Sequence, residues 1–99
     1  MAYQLTFSEP AREHLREMTA RLRSLILATM HEQLTHQPAL ETKNRKLLRP
    51  NPIASWELRI GTIRVFYEIR EAQEEVWIKA IGLKVGNRVL IGGEEVDFS

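Results

Sequence analysis

The sequence predicts a two-layer α+β domain in which a helical region covers one face of an antiparallel sheet. Two observations predict this class. Apolar residues recur at helical spacing over residues 11–34, and three segments between residues 56 and 83 alternate apolar and polar residues with short turns between them. The apolar stripe of the helical region has to be buried, and we expect the sheet to cover it. Because chains of about 100 residues typically fold as one unit, we expect residues 1–99 to form a single domain.

The first elements are a strand and a helical region. Residues 3–7 alternate apolar and polar side chains, which is typical of a half-buried strand, and Ser8 can then cap a helix. Over residues 11–34 the apolar positions follow steps of three and four without an intervening Gly or Pro. This periodicity allows one long helix, or two helices with a break near Thr19 or Ser24.

A connector and a meander of strands follow. Residues 42–52 are basic and Pro-containing, so we predict a connector with little regular structure. Residues 56–60, 63–69 and 76–83 are predicted strands, antiparallel because their connections are too short for parallel crossovers, and residues 89–91 can form a short final strand. Turns are expected at Gly61–Thr62, Glu71–Glu74, Gly86–Asn87 and Gly92–Gly93.

Composition indicates a cytoplasmic protein, and the pattern of its histidines argues against a zinc site. The chain has no Cys, which excludes disulfides and thiolate chemistry and fits a reducing compartment. No apolar run approaches the roughly 20 residues of a membrane span, and the first residues lack the features of a signal peptide. His14, His31 and His36 form no i, i+4 pair, so we interpret them as exposed helix residues rather than metal ligands.

Positive charge is concentrated in one part of the chain. Residues 43–88 carry ten Lys or Arg against five Glu, whereas residues 89–99 carry three carboxylates, although the whole chain has a net charge of only +1. Such a segment is expected of a protein that binds phosphates over part of its surface. The alternative is a solvated basic loop that is balanced by an acidic tail.

Alternation divides the meander into two faces. The set expected to face the helices is Trp56, Leu58, Ile60, Ile63, Val65, Tyr67, Ile69, Val76, Ile78 and Ala80. The opposite, open face would carry Glu57, Arg59, Arg64, Phe66, Glu68, Trp77 and Lys79. Its cations could bind phosphates and its aromatic rings could stack on the bases of single-stranded nucleic acid. The alternative is an ordinary solvated sheet face that is stabilised by cross-strand Arg–Glu pairs.

Three segments resemble a known family when they are taken in order. They are Met1-Ala2-Tyr3-x-Leu5-x-Phe7, residues 56–69 with the turn Gly61 followed by Ile63-Arg64-Val65, and the strand end Ala80-Ile81-Gly82-Leu83-Lys84. Over residues 3–84 the chain resembles the RelE branch of the RelE/ParE toxins. The resemblance implies that the helical region is an antiparallel hairpin of two helices packed on the meander.

The resemblance also implies a function. It implies the toxin component of a type II toxin–antitoxin system, which inhibits translation by ribosome-dependent endonucleolytic cleavage of mRNA without a metal or other cofactor. The implied partners are a cognate antitoxin, the ribosome and mRNA, and the implied assembly is a toxin–antitoxin hetero-oligomer. A reaction in which the 2′-hydroxyl attacks the neighbouring phosphate needs a base, cations for the phosphorane and an acid for the leaving group.

Residues of this sequence can be matched to those roles. The catalytic candidates are Arg64 and Lys84 at phosphate-stabilising positions and Glu57, whose carboxylate could act as a general base or could merely neutralise an arginine. The candidates for RNA binding are Arg59, Lys79, Arg88, Lys43, Arg45, Lys46 and Trp77.

The chain departs from the family pattern at two positions. Glu57 stands where a second cation would pair with Arg59, and Leu90 or its apolar neighbours stand where relatives carry Tyr or His. The general acid is therefore unassigned. Two other functions stay open: a catalytically inert binding module on the same scaffold, and a ParE-like inhibitor of DNA gyrase.

Overall fold

The structure, a computed structural model, describes residues 2–98. The described chain holds two helices and one seven-stranded sheet, so the predicted α+β class is confirmed. Its elements are β1 (Gln4–Phe7), α1 (Glu9–Arg16), α2 (Ala20–Leu34), β2 (Arg45–Leu47), β3 (Trp56–Ile60), β4 (Ile63–Arg70), β5 (Glu75–Val85), β6 (Arg88–Ile91) and β7 (Glu94–Glu95).

The helical region is divided at Thr19, where the sequence allowed a break. The Thr19 side chain caps α2 by accepting a hydrogen bond from the Leu22 N–H at 3.2 Å. Arg23 of α2 then donates Nε to the Leu15 carbonyl at 3.0 Å and Nη2 to the Met18 carbonyl at 2.9 Å. In a continuous helix these carbonyls would accept hydrogen bonds from backbone N–H groups of the next turn. Here, in the last turn of α1 and just after it, they accept from the Arg23 side chain instead. The two helices implied by the family resemblance are confirmed.

The predicted meander is present and is extended at both ends. Strands β3, β4, β5 and β6 are antiparallel neighbours, and the strand order is β2-β3-β4-β5-β6-β7. Residues 42–52 have little regular structure, as predicted, and the exception is β2, which pairs with β3 from Arg45 to Leu47. Strand β1 pairs in parallel with β5, a partner that no pattern in the sequence indicates.

Strand β5 has one edge that is divided between two partners. Its first half pairs with β1 and its second half with β6, which leaves residues 79–81 between them. Two side chains satisfy the backbone there: the Ser8 hydroxyl donates to the Lys79 carbonyl at 2.7 Å, and the Ile81 N–H donates to Nδ1 of His14 at 3.1 Å. The hydrogen bonding along this edge therefore continues across the gap through the N-cap residue of α1 and a side chain of α1 itself.

The helix-side face of the sheet is one continuous apolar core. The residues expected there from β3 and β4 belong to it, together with Val76 and Ile78 from β5 and Ile26, Met30 and Leu34 from α2. Tyr67 is fully buried in this core, stacks on Trp56 with ring centroids 6.0 Å apart, and donates its hydroxyl to the Pro38 carbonyl at 3.0 Å. Its assignment as a core residue is confirmed.

A β-bulge corrects the prediction for Ala80. Phe66 pairs with Ala80 but the next residue, Tyr67, pairs with Ile78, so Lys79 is the extra residue on β5. Beyond the bulge the alternation is reversed, and Ala80 lies with Phe66 on the face opposite the helices. The sequence pattern did not reveal this shift, because every residue from Val76 to Leu83 is compatible with a strand.

The face opposite the helices is not fully open, which corrects the prediction for Phe66. Phe66 has no exposed surface and packs with Ala54 and Ala80 in a second apolar cluster. The connector covers this cluster through Leu48 and Ile53 and the last residues cover it through Phe98, while Val89 and Ile91 of β6 pack against it from within the sheet. Alternation correctly placed Phe66 on the face opposite the helices. It does not show whether a segment from elsewhere in the chain packs over that residue.

Candidate nucleic-acid interface

The predicted arginines meet on one rung of the sheet. Arg59 of β3 pairs with Arg64 of β4, and Arg64 pairs with Gly82 of β5. Directly paired residues share a face, so both guanidinium groups lie on the side opposite the helices. Gly82 leaves no side chain beside Arg64, and a Cβ there would meet the Leu90 carbonyl oxygen at 2.6 Å and the Ile91 side chain at 2.9 Å. The close approach of β6 therefore requires this glycine.

Glu57 holds the two arginines together. One carboxylate oxygen lies 3.3 Å from Nε of Arg59 and the other lies 3.4 Å from Nε of Arg64. The side chains of Glu57 and Arg64 are only 9% and 11% exposed, whereas that of Arg59 is 43% exposed. Arg64 is further held by hydrogen bonds from Nη1 to the carbonyls of Gly61 at 2.7 Å and Ile63 at 3.0 Å. Arg64 is thus a fixed cation and Arg59 is an accessible one.

Two lysines border this cluster on the same face. Lys84 lies two residues beyond Gly82 on β5, and its backbone N–H donates to the Thr62 carbonyl at 2.8 Å, beside the turn that precedes Arg64. Lys46 of β2 pairs with Glu57 of β3. The structure therefore brings together five of the predicted site residues, which we call the cation cluster: Lys46, Glu57, Arg59, Arg64 and Lys84.

Arg45 and Arg88 lie outside the cation cluster. Arg45 is only 8% exposed and donates Nε to the Leu40 carbonyl at 3.1 Å and Nη1 to the Gln33 carbonyl near the end of α2. Because its guanidinium is used inside the protein, the prediction that Arg45 binds RNA needs a correction. Arg88 pairs with Val85, and this rung lies on the same face as Ile81, opposite the cation cluster. Lys43 is exposed in the loop before β2.

Trp77 and Lys79 form a second charged region at the other end of the same face. The Arg70 guanidinium lies 4.2 Å from the centroid of the Trp77 ring, and Nζ of Lys79 lies 5.4 Å from it. Arg70 also pairs with Glu75 at 2.8 Å. Arg70 was not among the predicted site residues, although its position two residues after Glu68 on β4 indicates the same face. Trp77 lies five residues before Gly82, so the two regions are about 16 Å apart along β5.

The general acid stays unassigned in the structure as well. Leu90, at the late position of the family pattern, pairs with Leu83 on the helix-side face rather than beside Arg64. Tyr67 is not available either, because burial raises the pKa of its hydroxyl far above the usual range. Neither Leu90 nor Tyr67 can therefore serve as a general acid beside Arg64.

The histidines are placed differently from one another. His31 and His36 are exposed, as predicted, although His36 lies beyond the end of α2. His14 is only partly exposed and accepts the Ile81 hydrogen bond, so its prediction as an exposed helix residue was wrong. Desolvation lowers the pKa of His14, against the opposing effect of Glu17 and Glu13. Within residues 2–98, no group of three or more His, Cys, Asp or Glu residues is arranged to bind a metal.

Comparison with solved structures identifies the fold. The chain superposes on the RelBE2 toxin–antitoxin complex from Mycobacterium tuberculosis with a TM-score of 0.70 and 22% identity, over 85% of this chain and 100% of that chain. It superposes on a mutant of the Escherichia coli toxin RelE in the free state with a TM-score of 0.67 and 24% identity, over 84% of each chain. The chain therefore has the fold of the RelE-like toxins, as the sequence resemblance implied.

Comparisons at the level of sequence add nothing to this. No protein-family model matches the chain, and no curated protein matches it. Among residues 2–98, no helix has both the length and the apolar character that a membrane crossing would require.

Proposed function

We propose that this protein is the toxin component of a type II toxin–antitoxin system and that it inhibits translation by cleaving mRNA on the ribosome. The observation that carries the proposal is the convergence of Arg59 and Arg64 on one carboxylate, at 3.3 and 3.4 Å, on a face bordered by Lys46 and Lys84. Guanidinium groups that hold a carboxylate in this way can hold a phosphate oxygen in its place. The RelE-like fold supports the toxin role.

The cation cluster can supply most of what metal-independent RNA cleavage needs. The bond from the 2′-oxygen to phosphorus forms as the bond from phosphorus to the 5′-oxygen breaks, which leaves a 2′,3′-cyclic phosphate and a 5′-hydroxyl. Arg64 and Arg59 would neutralise the charge that grows on the phosphorane oxygens. Glu57 would accept the proton of the 2′-hydroxyl once the substrate phosphate had replaced its carboxylate between the arginines.

The leaving 5′-oxygen has to receive a proton. A guanidinium hardly gives up a proton near neutral pH, which excludes Arg59 and Arg64 from this role. An ammonium group gives up a proton more readily, and Lys84 lies on the same face two residues from the rung of Arg64. We therefore assign proton donation in this proposal to Lys84, directly or through one water molecule.

Expression of the chain without any neighbouring gene tests the proposal. We expect growth arrest and new mRNA 5′ ends inside translated codons. Arg64→Ala should reduce cleavage by roughly 100-fold or more, the loss typical when one charge-stabilising donor is removed from a transition state. Arg21→Ala, at an exposed position on α2, removes the same group elsewhere and is the matched control.

The proposal fails if Arg64→Ala arrests growth as strongly as the wild type. Because Arg64 is buried and hydrogen-bonded, the circular dichroism spectrum of the variant has to match that of the wild type before a loss of cleavage is attributed to chemistry. Growth arrest with intact mRNA would instead favour inhibition of DNA gyrase.

One observation favours a second function, that of a catalytically inert binding module. The side chain of Arg64 is only 11% exposed and is already paired with Glu57, so a phosphate must displace an internal ion pair before it reaches this cation. An inert module would leave growth and mRNA unaffected while it bound the product of a neighbouring gene.

We further propose a cognate antitoxin as partner. Leu83 and Val85 are 39% and 42% exposed and, by register, lie on the helix-side face of the β5–β6 hairpin, where Arg88 pairs with Val85. An apolar pair beside a cation suits an amphipathic segment that carries an acidic residue. Co-expression with the product of a neighbouring gene should restore growth, and continued arrest would count against that product as the antitoxin.

A further inference from the structure

A pocket opens beside the ion pair of Glu57 and Arg64. It has a volume of about 250 Å³, which is below the roughly 300–1,000 Å³ of sites that take a whole drug-sized ligand. Its size therefore suits one flat ring system better than a complete nucleotide. Its lining residues are Leu48, Arg49, Asn51, Glu57, Val89 and Phe98.

An aromatic ring lies in the wall of this pocket. The Phe98 ring packs on the buried Phe66 with centroids 5.3 Å apart and an interplanar angle of 35°. Phe98 itself is only partly buried, so part of its surface remains available in the pocket. Leu48 and Val89 pack against the same cluster and make the surrounding wall apolar. A ring that is held against a buried partner is a preorganised surface for stacking.

The amide of Asn51 is already fully used within the protein. Its Nδ2 donates to the carbonyls of Arg49 at 2.7 Å and Ala54 at 2.9 Å, while its Oδ1 accepts from the N–H groups of Ile53 at 2.8 Å and Ala54 at 3.1 Å. The Asn51 side chain therefore stabilises the turn around it, and its amide is not free to form hydrogen bonds with a ligand. Apart from the exposed side chain of Arg49, the pocket offers stacking and apolar contact.

We infer that this pocket binds the base of the nucleotide whose phosphate lies against Arg64 and Arg59. Glu57 connects the two sites, since its carboxylate lies 3.4 Å from Nε of Arg64 and Glu57 is also one of the residues that line the pocket. The inference rests on the proposed function in one respect: it takes the arginines as the phosphate site. Stacking tolerates any base, so the pocket adds affinity for RNA with little preference for sequence.

The inference is tested by binding to the purified protein, without ribosomes or cleavage. Adenosine 5′-monophosphate and ribose 5-phosphate carry the same phosphate, and only the first carries a base. We expect the nucleotide to bind the wild type at least about fivefold more tightly in an NMR titration, since a stacked base typically contributes that much or more. Phe98→Ala should abolish the difference, and Phe98→Tyr should keep it.

Control variants separate the pocket from the phosphate site and from folding. Phe98→Leu keeps an apolar cover over Phe66 but removes the ring, so it should lose the preference for the nucleotide while remaining folded. Leu25→Ala, at a 54% exposed position on α2, should change nothing. Arg64→Ala should weaken the binding of both compounds by a similar factor.

Each other result counts against the inference. Equal binding of the two compounds to the wild type, or a preference that survives in Phe98→Leu, overturns the base pocket and leaves the phosphate site intact. No detectable binding of either compound overturns the phosphate site, and with it both the pocket and the proposed chemistry.

Discussion

The two faces of the sheet are built in different ways. The helix-side face carries one large core in which α1 and α2 cover apolar residues from the strands. The opposite face carries a small apolar cluster around Phe66 at its centre, with the cation cluster at one end and Trp77 with Arg70 at the other. Covering segments without regular structure take the place of helices there. Alternation therefore assigns a side chain to a face of the sheet, whereas the exposure of that side chain depends on segments far away in the chain.

The difference between the two faces can be tested by substitution, and we expect the largest effect on the free energy of unfolding at Phe66. An open face would make its replacement nearly neutral, whereas the observed cluster makes Phe66 a fully buried ring. We expect Phe66→Ala to lower the free energy of unfolding by about 3–5 kcal/mol, the usual cost of deleting a buried aromatic side chain. Urea denaturation would measure it, with Leu25→Ala as an exposed apolar control. A loss below about 1 kcal/mol would mean that the face is open after all.

An intermediate effect is expected at Arg45. This residue is a buried cation within the basic segment, whereas Lys43 of the same segment is exposed. Arg45→Ala removes the donors to the Leu40 and Gln33 carbonyls and leaves those acceptors without this partner. We expect a loss of about 1–3 kcal/mol in the free energy of unfolding. Lys43→Ala, two residues earlier and exposed, should lie within about 0.5 kcal/mol of the wild type. Equal effects of the two substitutions in urea denaturation would contradict the internal role of Arg45.

The smallest effect is expected at His14, which joins α1 to the edge of β5. Its folded-state pKa lies below the ordinary value of 6.5, so the unfolded chain takes up the proton first as the pH falls. The contribution of His14 to stability is therefore complete above about pH 6.5 and decreases as the pH falls from there through the folded-state pKa. Denaturation at several pH values would measure this decrease.

A matched pair of variants tests the assignment to His14. His14→Gln keeps an acceptor for the Ile81 N–H but does not titrate, so the decrease below pH 6.5 should become smaller. His31→Gln, at an exposed position on α2, should keep the wild-type profile. An unchanged profile in His14→Gln would show that other groups cause the pH dependence.

Part of the candidate site was predictable from the sequence because it depends on neighbouring strands. Arg59, Arg64 and Glu57 belong to one hairpin, in which a short turn at Gly61 sets the register and hence the face of each side chain. The pocket proposed to bind a base was not predictable. It combines Phe98 with Leu48 from the connector, and neither residue lies in a segment whose pattern indicates where it packs.

The sequence by itself determined the α+β class, the antiparallel hairpins and most of the apolar set that faces the helices, because these follow from side-chain periodicity and turn residues over a few positions. Tertiary structure alone decided the parallel position of β1, the bulge at Lys79, the internal role of Arg45 and the cover over Phe66. Each of these features depends on contacts between different segments of the chain. The free energy of such contacts depends on which residues meet, and no local sequence pattern specifies that.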